Sequence, residues 1–321
     1  MDHGLSVSSW ALAVLQALLY AALSPLLVGW IRKVKARLQN RRGAPMLQPY
    51  RDLYKLLGKE ARVAHTASPL FLAAPYVVFV ATWLAAATVP VVLLDQPASS
   101  IADIIVLVGL LALARFFLAL AGMDVGTAFG GMGSSREMLI SALAEPAMLM
   151  AVFTLAVSAH TTNVASVIDY QLSVGLALRP SLLFAFGGLA LVAIAETGRI
   201  PVDNPATHLE LTMIHEAMIL EYSGRYLALM EWAAQIKLAL YGVLIANIFF
   251  PWGVAQSFAP PALGLAAVAI LLKLALLGAA LAVAETVLAK MRLFRAPAFL
   301  QLALLLALIG LLSHVILETG T

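Results

Sequence analysis

The sequence predicts an all-α polytopic membrane protein, a bundle of about eight transmembrane helices with both termini outside. Of its residues, 62% are hydrophobic and only 12% are charged, whereas a soluble domain carries about 25% charged residues. The mean hydropathy of +0.95 agrees with this reading, and the apolar residues are gathered into long runs. Such a chain has too little polar surface to cover a water-facing globule. We therefore expect one membrane domain that spans residues 1–321.

A membrane helix needs about 20 mostly apolar residues, and eight segments meet this requirement. They are residues 8–31, 69–94, 101–122, 137–160, 181–198, 229–251, 262–285 and 297–316. The first is too long for the apolar region of a cleavable signal and no Lys or Arg precedes it, so we expect a retained helix. The chain has no cysteine, which excludes Cys-ligated iron–sulfur clusters and thiolate zinc sites. Electrons that move nearby must therefore be carried by another subunit.

The distribution of Lys and Arg predicts the orientation of the bundle, because cytoplasmic loops carry an excess of these residues. Ten of the twenty basic residues lie in the loop at 32–68, which we expect to be cytoplasmic: Arg32, Lys33, Lys35, Arg37, Arg41, Arg42, Arg51, Lys55, Lys59 and Arg62. Eight spans put six more on the same side: Arg136, Arg199, Arg225, Lys290, Arg292 and Arg295. The outer connections near 95–100, 161–180 and 252–261 contain only Arg179.

The basic loop contains a short amphipathic pattern. Tyr50, Leu53, Tyr54 and Leu57 recur at helical spacing, and charged residues occupy the opposite face. This pattern is typical of a helix that lies in the plane of the lipid headgroups. Two interpretations remain open for it, a lipid-anchored connector and the rim of a docking surface or ligand portal.

Four charged residues stand out deep inside the predicted membrane helices, where charges are costly and usually mark a pathway. They are Arg115, Glu145, Lys237 and Lys273. Counted from Glu137, Glu145 lies roughly 12 Å into the fourth helix at 1.5 Å per residue. Three bases then share one deep acid, so simple ion pairing is incomplete. Because burial lowers the pKa of a lysine, a proton relay is one interpretation, and structural ion pairing is the other.

The densest polar region is the acidic and Pro-containing loop at 196–231, which we expect to be cytoplasmic. Pro201 and Pro205 break the preceding helix, and Thr207 with Glu210 forms a capping box that predicts a new helix from there to about Tyr222. Glutamates here either belong to a functional site or form a solvated face. His208 and His215 are seven residues apart, too far for one metal ion, so no metal site is expected.

Three stretches together resemble one protein family. They read Glu196-Thr-Gly-Arg199, Pro201, Asp203, Glu210-Leu211 and Glu221-Tyr222-Ser223-Gly224; Arg37-Leu-Gln-Asn-Arg41-Arg42-Gly43-Ala-Pro45 and Leu47-Gln48-Pro49-Tyr50-Arg51-Asp52; and Gly133-Ser134-Ser135-Arg136-Glu137 with Glu145-Pro146. The chain resembles subunit 1 of respiratory complex I, and more closely the membrane subunits of group 4 NiFe hydrogenases. Ala206 and His208 stand where complex I has the glutamates of its quinone-associated acidic funnel.

The resemblance implies a membrane-anchor and proton-coupling subunit of a multi-subunit redox complex, integral to the cytoplasmic membrane of a prokaryote. It implies hydrogenase-like large and small subunits on the cytoplasmic side, antiporter-like membrane subunits and the lipid bilayer as partners, and no nucleic acid. A NiFe centre and Fe–S clusters are implied in the other subunits, and this chain is expected to bind no cofactor or metal and to hold no catalytic residue.

The resemblance, read together with the positions of the charges, implies two sets of site residues. A proton relay is expected to use Glu145, Arg115, Lys237, Lys273, Glu196, Glu210, Glu216, Glu221 and Asp203. Docking of the peripheral arm is expected to use Arg37, Arg41, Arg42, Arg51, Arg199 and Arg225.

Three other functions remain open at this stage. The first is the quinone-site subunit of a complex I-like quinone oxidoreductase. The second is a stand-alone secondary transporter, although the inverted repeats and broken mid-membrane helices of such folds are not found in the sequence. The third is a scaffold without a role in proton movement.

Overall fold

The computed structural model describes residues 7–94, 103–175, 179–203, 213–257 and 259–318. Within these ranges the chain is helical, and the only β-type pairing is two isolated bridges. The α-helices are α1 (Val7–Leu38), α2 (Gln48–Leu57), α3 (Pro69–Thr88), α4 (Ile104–Asp124), α5 (Ala128–Ala159), α6 (Val164–Val174), α7 (Pro180–Glu196), α8 (His215–Ile219), α9 (Gly224–Phe249), α10 (Pro260–Val287) and α11 (Ala296–Ser313). A short 3₁₀ turn, Leu293–Arg295, precedes α11, and a π-helical turn, His314–Glu318, follows it.

The all-α membrane fold class is confirmed. Among the described residues, seven helices are long and apolar enough to cross a membrane: α1, α3, α4, α5, α9, α10 and α11. The remaining predicted segment, the fifth at 181–198, corresponds to α7, which has 17 residues and lies at the short end of the range of about 17–25 that can span a bilayer.

Two helices extend well beyond their predicted limits. Helix α1 continues to Leu38, so the first basic residues of the predicted loop are helical. Helix α5 begins at Ala128, nine residues before the predicted start, where the side chain of Thr127 accepts a hydrogen bond from the Gly130 amide. The glycines that weaken the helical pattern here serve close packing, because a Cβ on Gly130 would collide with the carbonyl of Gly122 on α4.

Segment 89–94 is irregular although it was predicted to be the end of the second helix. Its backbone groups are satisfied by side chains from other helices, as lipid requires. The Gln16 Oε1 atom accepts from the amides of Val91 (3.0 Å) and Val92 (3.2 Å), and Asn247 Nδ2 donates to the carbonyls of Pro90 (2.8 Å) and Val91 (3.2 Å). These contacts join α1, α9 and the end of α3.

Small residues allow the helices on one side of the bundle to approach closely. Helix α11 packs against α7 and α5, and a Cβ on Gly188 would lie 3.0 Å from the Ala303 carbonyl. A Cβ on Gly310 would lie at the same distance from the Ser181 carbonyl. Helix association in a membrane depends on such close backbone contact, because lipid provides no hydrophobic driving force between helices.

The two polar loops contain short helices. Helix α2 occupies the amphipathic stretch, where Leu53 is buried, Tyr54 is 84% exposed and the Tyr50 hydroxyl donates to the Ala22 carbonyl of α1. In the second loop, at 196–231, the described residues are 196–203 and 213–231, which contain α8 and the start of α9. The helix predicted from Thr207 to Tyr222 ends earlier, at Ile219, and its predicted start, with Glu210, lies outside the described residues.

Candidate functional site

Four charged side chains from four different helices meet inside the bundle. The Arg115 guanidinium on α4 contacts the carboxylate of Glu145 on α5 through Nη2 and that of Glu196 at the end of α7 through Nη1. On the other side of Glu196, Lys237 Nζ of α9 lies 3.1 Å from Oε2. Arg115 and Glu196 are 5% and 7% exposed. We call these four residues the charge cluster; its ion pairs run in the order Lys237, Glu196, Arg115, Glu145.

The charge cluster corrects the prediction from the sequence that three deep bases share a single acid. Glu196 was predicted to begin a solvent-facing loop, but it is the last residue of α7 and is buried between two cations. Two acids therefore balance Arg115 and Lys237, and the expected shortage of acids does not occur there. Lys273 is not part of the cluster, because the contact of its Nζ is with Asn247 Oδ1 at 3.4 Å.

A small cavity of about 60 Å³ adjoins the charge cluster. Its lining includes Arg115, Glu196 and Lys237 of the cluster, together with Glu137, Asp203 and His215. Glu137 was predicted to begin the fourth helix and was not predicted as a site residue. Because α5 begins nine residues earlier, Glu137 lies within the helix and its side chain lines the cavity. The one sequence signal for Glu137 was its place next to Arg136 in the motif that carries the family resemblance.

A larger polar cavity of about 650 Å³ opens at the end of the bundle that carries the basic loop. We call this end the basic end. Its wall includes the basic side chains Arg32, Lys35, Arg41 and Arg199 and the acidic side chains Asp203, Glu216, Glu231 and Glu285. Thr197, Gly198, Asp203 and His215 line both cavities. A set of shared residues therefore connects the surface at the basic end with the buried charge cluster.

Glu285 of α10 holds the wall of the larger cavity together. Its carboxylate lies 2.8 Å from Lys35 Nζ of α1 and 3.3 Å from Arg199 Nη1 in the loop after α7. Burial lowers the pKa of the Arg199 guanidinium, and the negative charge of Glu285 opposes that change. Arg199 was predicted to dock a partner, but its guanidinium is occupied inside this chain. Glu285 was not predicted as a site residue, since its partner lies 250 residues away along the chain.

Asp203 links the two described parts of the second polar loop, residues 196–203 and 213–231, through hydrogen bonds. Its Oδ2 accepts from the backbone amides of Ile214 (3.2 Å) and His215 (3.3 Å), at the start of α8. Its Oδ1 lies 3.8 Å from Lys290 Nζ. A carboxylate at a helix N-terminus satisfies amides that have no partner within the helix. The position of Asp203 is therefore explained by structure as well as by its place in the cavity wall.

The other predicted site residues are divided between the cavity, the surface and the undescribed part of the loop. Glu216 lines the larger cavity, Glu221 is half-buried outside both cavity linings, and Glu210 lies outside the described residues. Five of the six arginines predicted for docking are exposed: Arg37, Arg41, Arg42, Arg51 and Arg225. Among the described residues no group of three or more His, Asp or Glu side chains is arranged to hold a metal ion.

Comparison with known proteins places the chain among membrane subunits of redox complexes. The family model described as NADH dehydrogenase matches residues 10–315. Formate hydrogenlyase subunit 4 of Escherichia coli (strain K12) is 34% identical over 284 residues, which cover 88% of this chain and 92% of that protein. Hydrogenase-4 component C of the same organism is 34% identical over 281 residues, covering 87% and 88%. NADH-quinone oxidoreductase subunit 8 of Rhodothermus marinus is 29% identical over 257 residues, covering 75% and 72%.

A solved structure shares the fold. It is a chain of the membrane-bound sulfane sulfur reductase, described as an archaeal respiratory membrane complex, and its TM-score is 0.78 at 21% sequence identity. The superposition covers 95% of this chain and 99% of that one.

Proposed function

Because this chain belongs to the NADH dehydrogenase subunit 1 family, we propose that it is the membrane-anchor and proton-coupling subunit of a redox complex of the group 4 NiFe hydrogenase type. The two relatives at 34% identity, both matched over most of their length, are subunits named for formate hydrogenlyase and hydrogenase-4. In this proposal the NiFe centre and the Fe–S clusters belong to large and small subunits of a peripheral arm. Proton movement is completed by antiporter-like membrane subunits, and the complex lies in the cytoplasmic membrane of a prokaryote.

One observation supports the coupling role above all. The charge cluster begins at Lys237, which lines the small cavity, and ends at Glu145, whose side chain is 36% exposed on the flank of the bundle. A carboxylate exposed on the flank of a membrane helix does not face lipid without a large cost. Glu145 is therefore proposed to face a neighbouring membrane subunit and to form the exit of the path.

The chemistry follows from the shared cation in the middle of the cluster. The Arg115 guanidinium stays charged at any physiological pH, since arginine side chains are not deprotonated in proteins. A proton that arrives on Glu196 removes one of its two negative partners, so the cation is drawn toward Glu145, and a proton on Glu145 has the opposite effect. The two carboxylates thus compete for one cation. This competition links the protonation state beside the cavity to that on the flank.

The basic end is proposed to receive the peripheral arm on the cytoplasmic side. Of its exposed arginines, Arg41 lines the larger cavity, Arg51 lies on α2, and Arg37 and Arg42 are close to Arg41 in sequence. A redox reaction in an arm seated there takes place next to Asp203, Glu216 and His215 of the cavity wall. With this end in the cytoplasm, both termini lie outside, and reporter fusions at the two termini check that orientation.

The test uses Glu145→Gln, which keeps the shape of the side chain and removes its titration. We expect the purified complex to assemble and to retain electron transfer, while the ratio of protons moved to electrons transferred in reconstituted vesicles falls. Glu60→Gln, an exposed carboxylate outside both cavity linings and outside the predicted relay, is the control. An unchanged ratio in Glu145→Gln, normalised to assembled complex, rules this residue out of the path.

A quinone-reducing complex I-like function is the second candidate, and the larger cavity favours it. About 650 Å³ lies within the usual range of about 300–1,000 Å³ for small-molecule sites, and the cavity lies between α1, α9 and α10. Inhibition of the purified complex by quinone analogues, or quinone that co-purifies with it, supports this candidate. Nickel in the purified complex without quinone sensitivity supports the hydrogenase assignment.

A further inference from the structure

Lys273 lies at the centre of a membrane helix without a counter-charge among the described residues. It is thirteen residues from Pro260 and fourteen from Val287, the two ends of α10, so each end is about 20 Å away. The contact of its Nζ is with the neutral amide oxygen of Asn247 at 3.4 Å. The amide nitrogen of Asn247 is already bound to the carbonyls of Pro90 and Val91. Within the described ranges no carboxylate oxygen lies within 4.0 Å of the ammonium.

A lysine at this depth cannot reach the lipid headgroups. Lysine side chains near helix ends extend to the membrane surface, but a distance of about 20 Å along the helix is several times the length of the side chain. The residue is half-buried, so part of its surface is accessible from outside the chain. Buried or membrane-embedded charges are paired as a rule. The missing partner of Lys273 is therefore expected to come from another molecule at mid-membrane depth.

An apolar cleft lies on the same stripe of α10 as Lys273. Leu277, Ala280 and Ala284 follow Lys273 at spacings of four, seven and eleven residues, which place them on one helix face. These three residues, with Ala190 and Ala193 of α7, belong to the lining of an apolar cavity of about 270 Å³ between α7, α9, α10 and the end of α1. The rest of the chain covers only a minor part of α10, since 28% of its apolar membrane-spanning stretch is buried.

We propose that a membrane-spanning helix of a neighbouring subunit lies along the cleft between α7 and α10 and presents an Asp or Glu to Lys273. A helix with its side chains is about 10–12 Å wide, so the cavity admits apolar side chains of the partner and not the helix itself. A lipid tail fills such a cleft equally well, but it carries no anion at the level of Lys273. The ammonium thus selects a protein partner with one buried acid. This interface is independent of the proposed proton path through Glu145.

The direct test is a zero-length cross-link formed in native membranes by a membrane-soluble carbodiimide. A carboxyl group adds to the carbodiimide to form an O-acylisourea. The neutral amine of the lysine then attacks the acyl carbon, an amide bond forms and the dialkylurea leaves. We expect mass spectrometry of the tagged, purified chain to find Lys273 joined to an Asp or Glu of a different membrane subunit. Lys237 joined to Glu196, which lie 3.1 Å apart, is the internal positive control.

Matched variants separate the interface from a structural role. Lys273→Arg keeps the positive charge but gives no amide, so the cross-link is lost while co-purification of the partner persists. Lys273→Met and the cleft-filling Ala280→Leu are each expected to reduce the co-purified partner at least tenfold. Leu272→Ala, which changes a similar volume on the exposed face of α10, leaves it unchanged.

Two outcomes overturn the proposal. One is a cross-link from Lys273 only to a carboxylate of this chain, such as Asp95 or Glu210 outside the described residues. The other is no adduct at Lys273 while the control between Lys237 and Glu196 forms. An unchanged proton-to-electron ratio in Glu145→Gln contradicts the proposed proton path but not this interface, so each proposal can be refuted without the other.

Discussion

Glu196 and Glu145 share one arginine, yet their removal is expected to have very different costs. Glu196 is 7% exposed and lies between Arg115 and Lys237, so Glu196→Gln leaves the buried Arg115 and the partly buried Lys237 with Glu145 as the one remaining acid of the cluster. Breaking a buried pair by removing one partner costs about 3–5 kcal/mol. Glu145→Gln, by contrast, leaves Arg115 and Lys237 each paired with Glu196, so neither cation loses its counter-charge. We therefore expect Glu196→Gln to destabilise the fold by about 2–5 kcal/mol more than Glu145→Gln.

The assay is unfolding of the purified chain in mixed micelles with increasing dodecyl sulfate, followed by tryptophan fluorescence. A double-mutant cycle with Lys237→Met tests the mechanism, because removing the lysine also removes a cation that Glu196→Gln leaves unpaired. We expect a coupling free energy of about 0.5–3 kcal/mol, with the double variant more stable than the sum of the single changes predicts. Equal destabilisation by the two glutamate substitutions, or strict additivity in the cycle, refutes the assignment of Glu196 as the centre of the cluster.

Two further predictions concern the basic end. Reversing the charge of Arg41 and Arg42 to Glu is expected to release the peripheral arm while the chain stays in the membrane; because both side chains are exposed, the unfolding midpoint should not move. Retention of an active arm after both reversals contradicts the docking role. Asp203→Asn weakens the acceptor of the Ile214 and His215 amides, so hydrogen exchange at these two amides should accelerate about tenfold. Glu221→Gln is the control. Equal exchange rates in Asp203→Asn and the unsubstituted protein contradict the role of Asp203 as the acceptor that links the two parts of the loop.

The sequence by itself determined the fold class. Each apolar run of about 20 residues can satisfy its backbone in lipid only as a helix, so hydropathy alone located α4, α7, α10 and α11 to within three residues. The same rule misplaced the ends of α1 and α5. Hydropathy marks where the hydrocarbon begins, whereas a helix continues into polar surroundings for as long as its backbone is hydrogen-bonded and its side chains find contacts.

The tertiary structure alone decided which charges meet. Arg115 and Glu196 are 81 residues apart along the chain, and no local pattern relates them. Counting residues from the helix ends predicted that Lys273 lies at the same depth as Arg115 and Lys237 and shares their acid. In the structure its Nζ contacts Asn247 of α9 instead. Glu196 was assigned to a loop because polar residues follow it, but its own side chain turns into the bundle as the last residue of α7. Helix formation depends on neighbours in sequence and on the solvent, while ion pairing depends on how helices rotate and pack, which distant residues decide together.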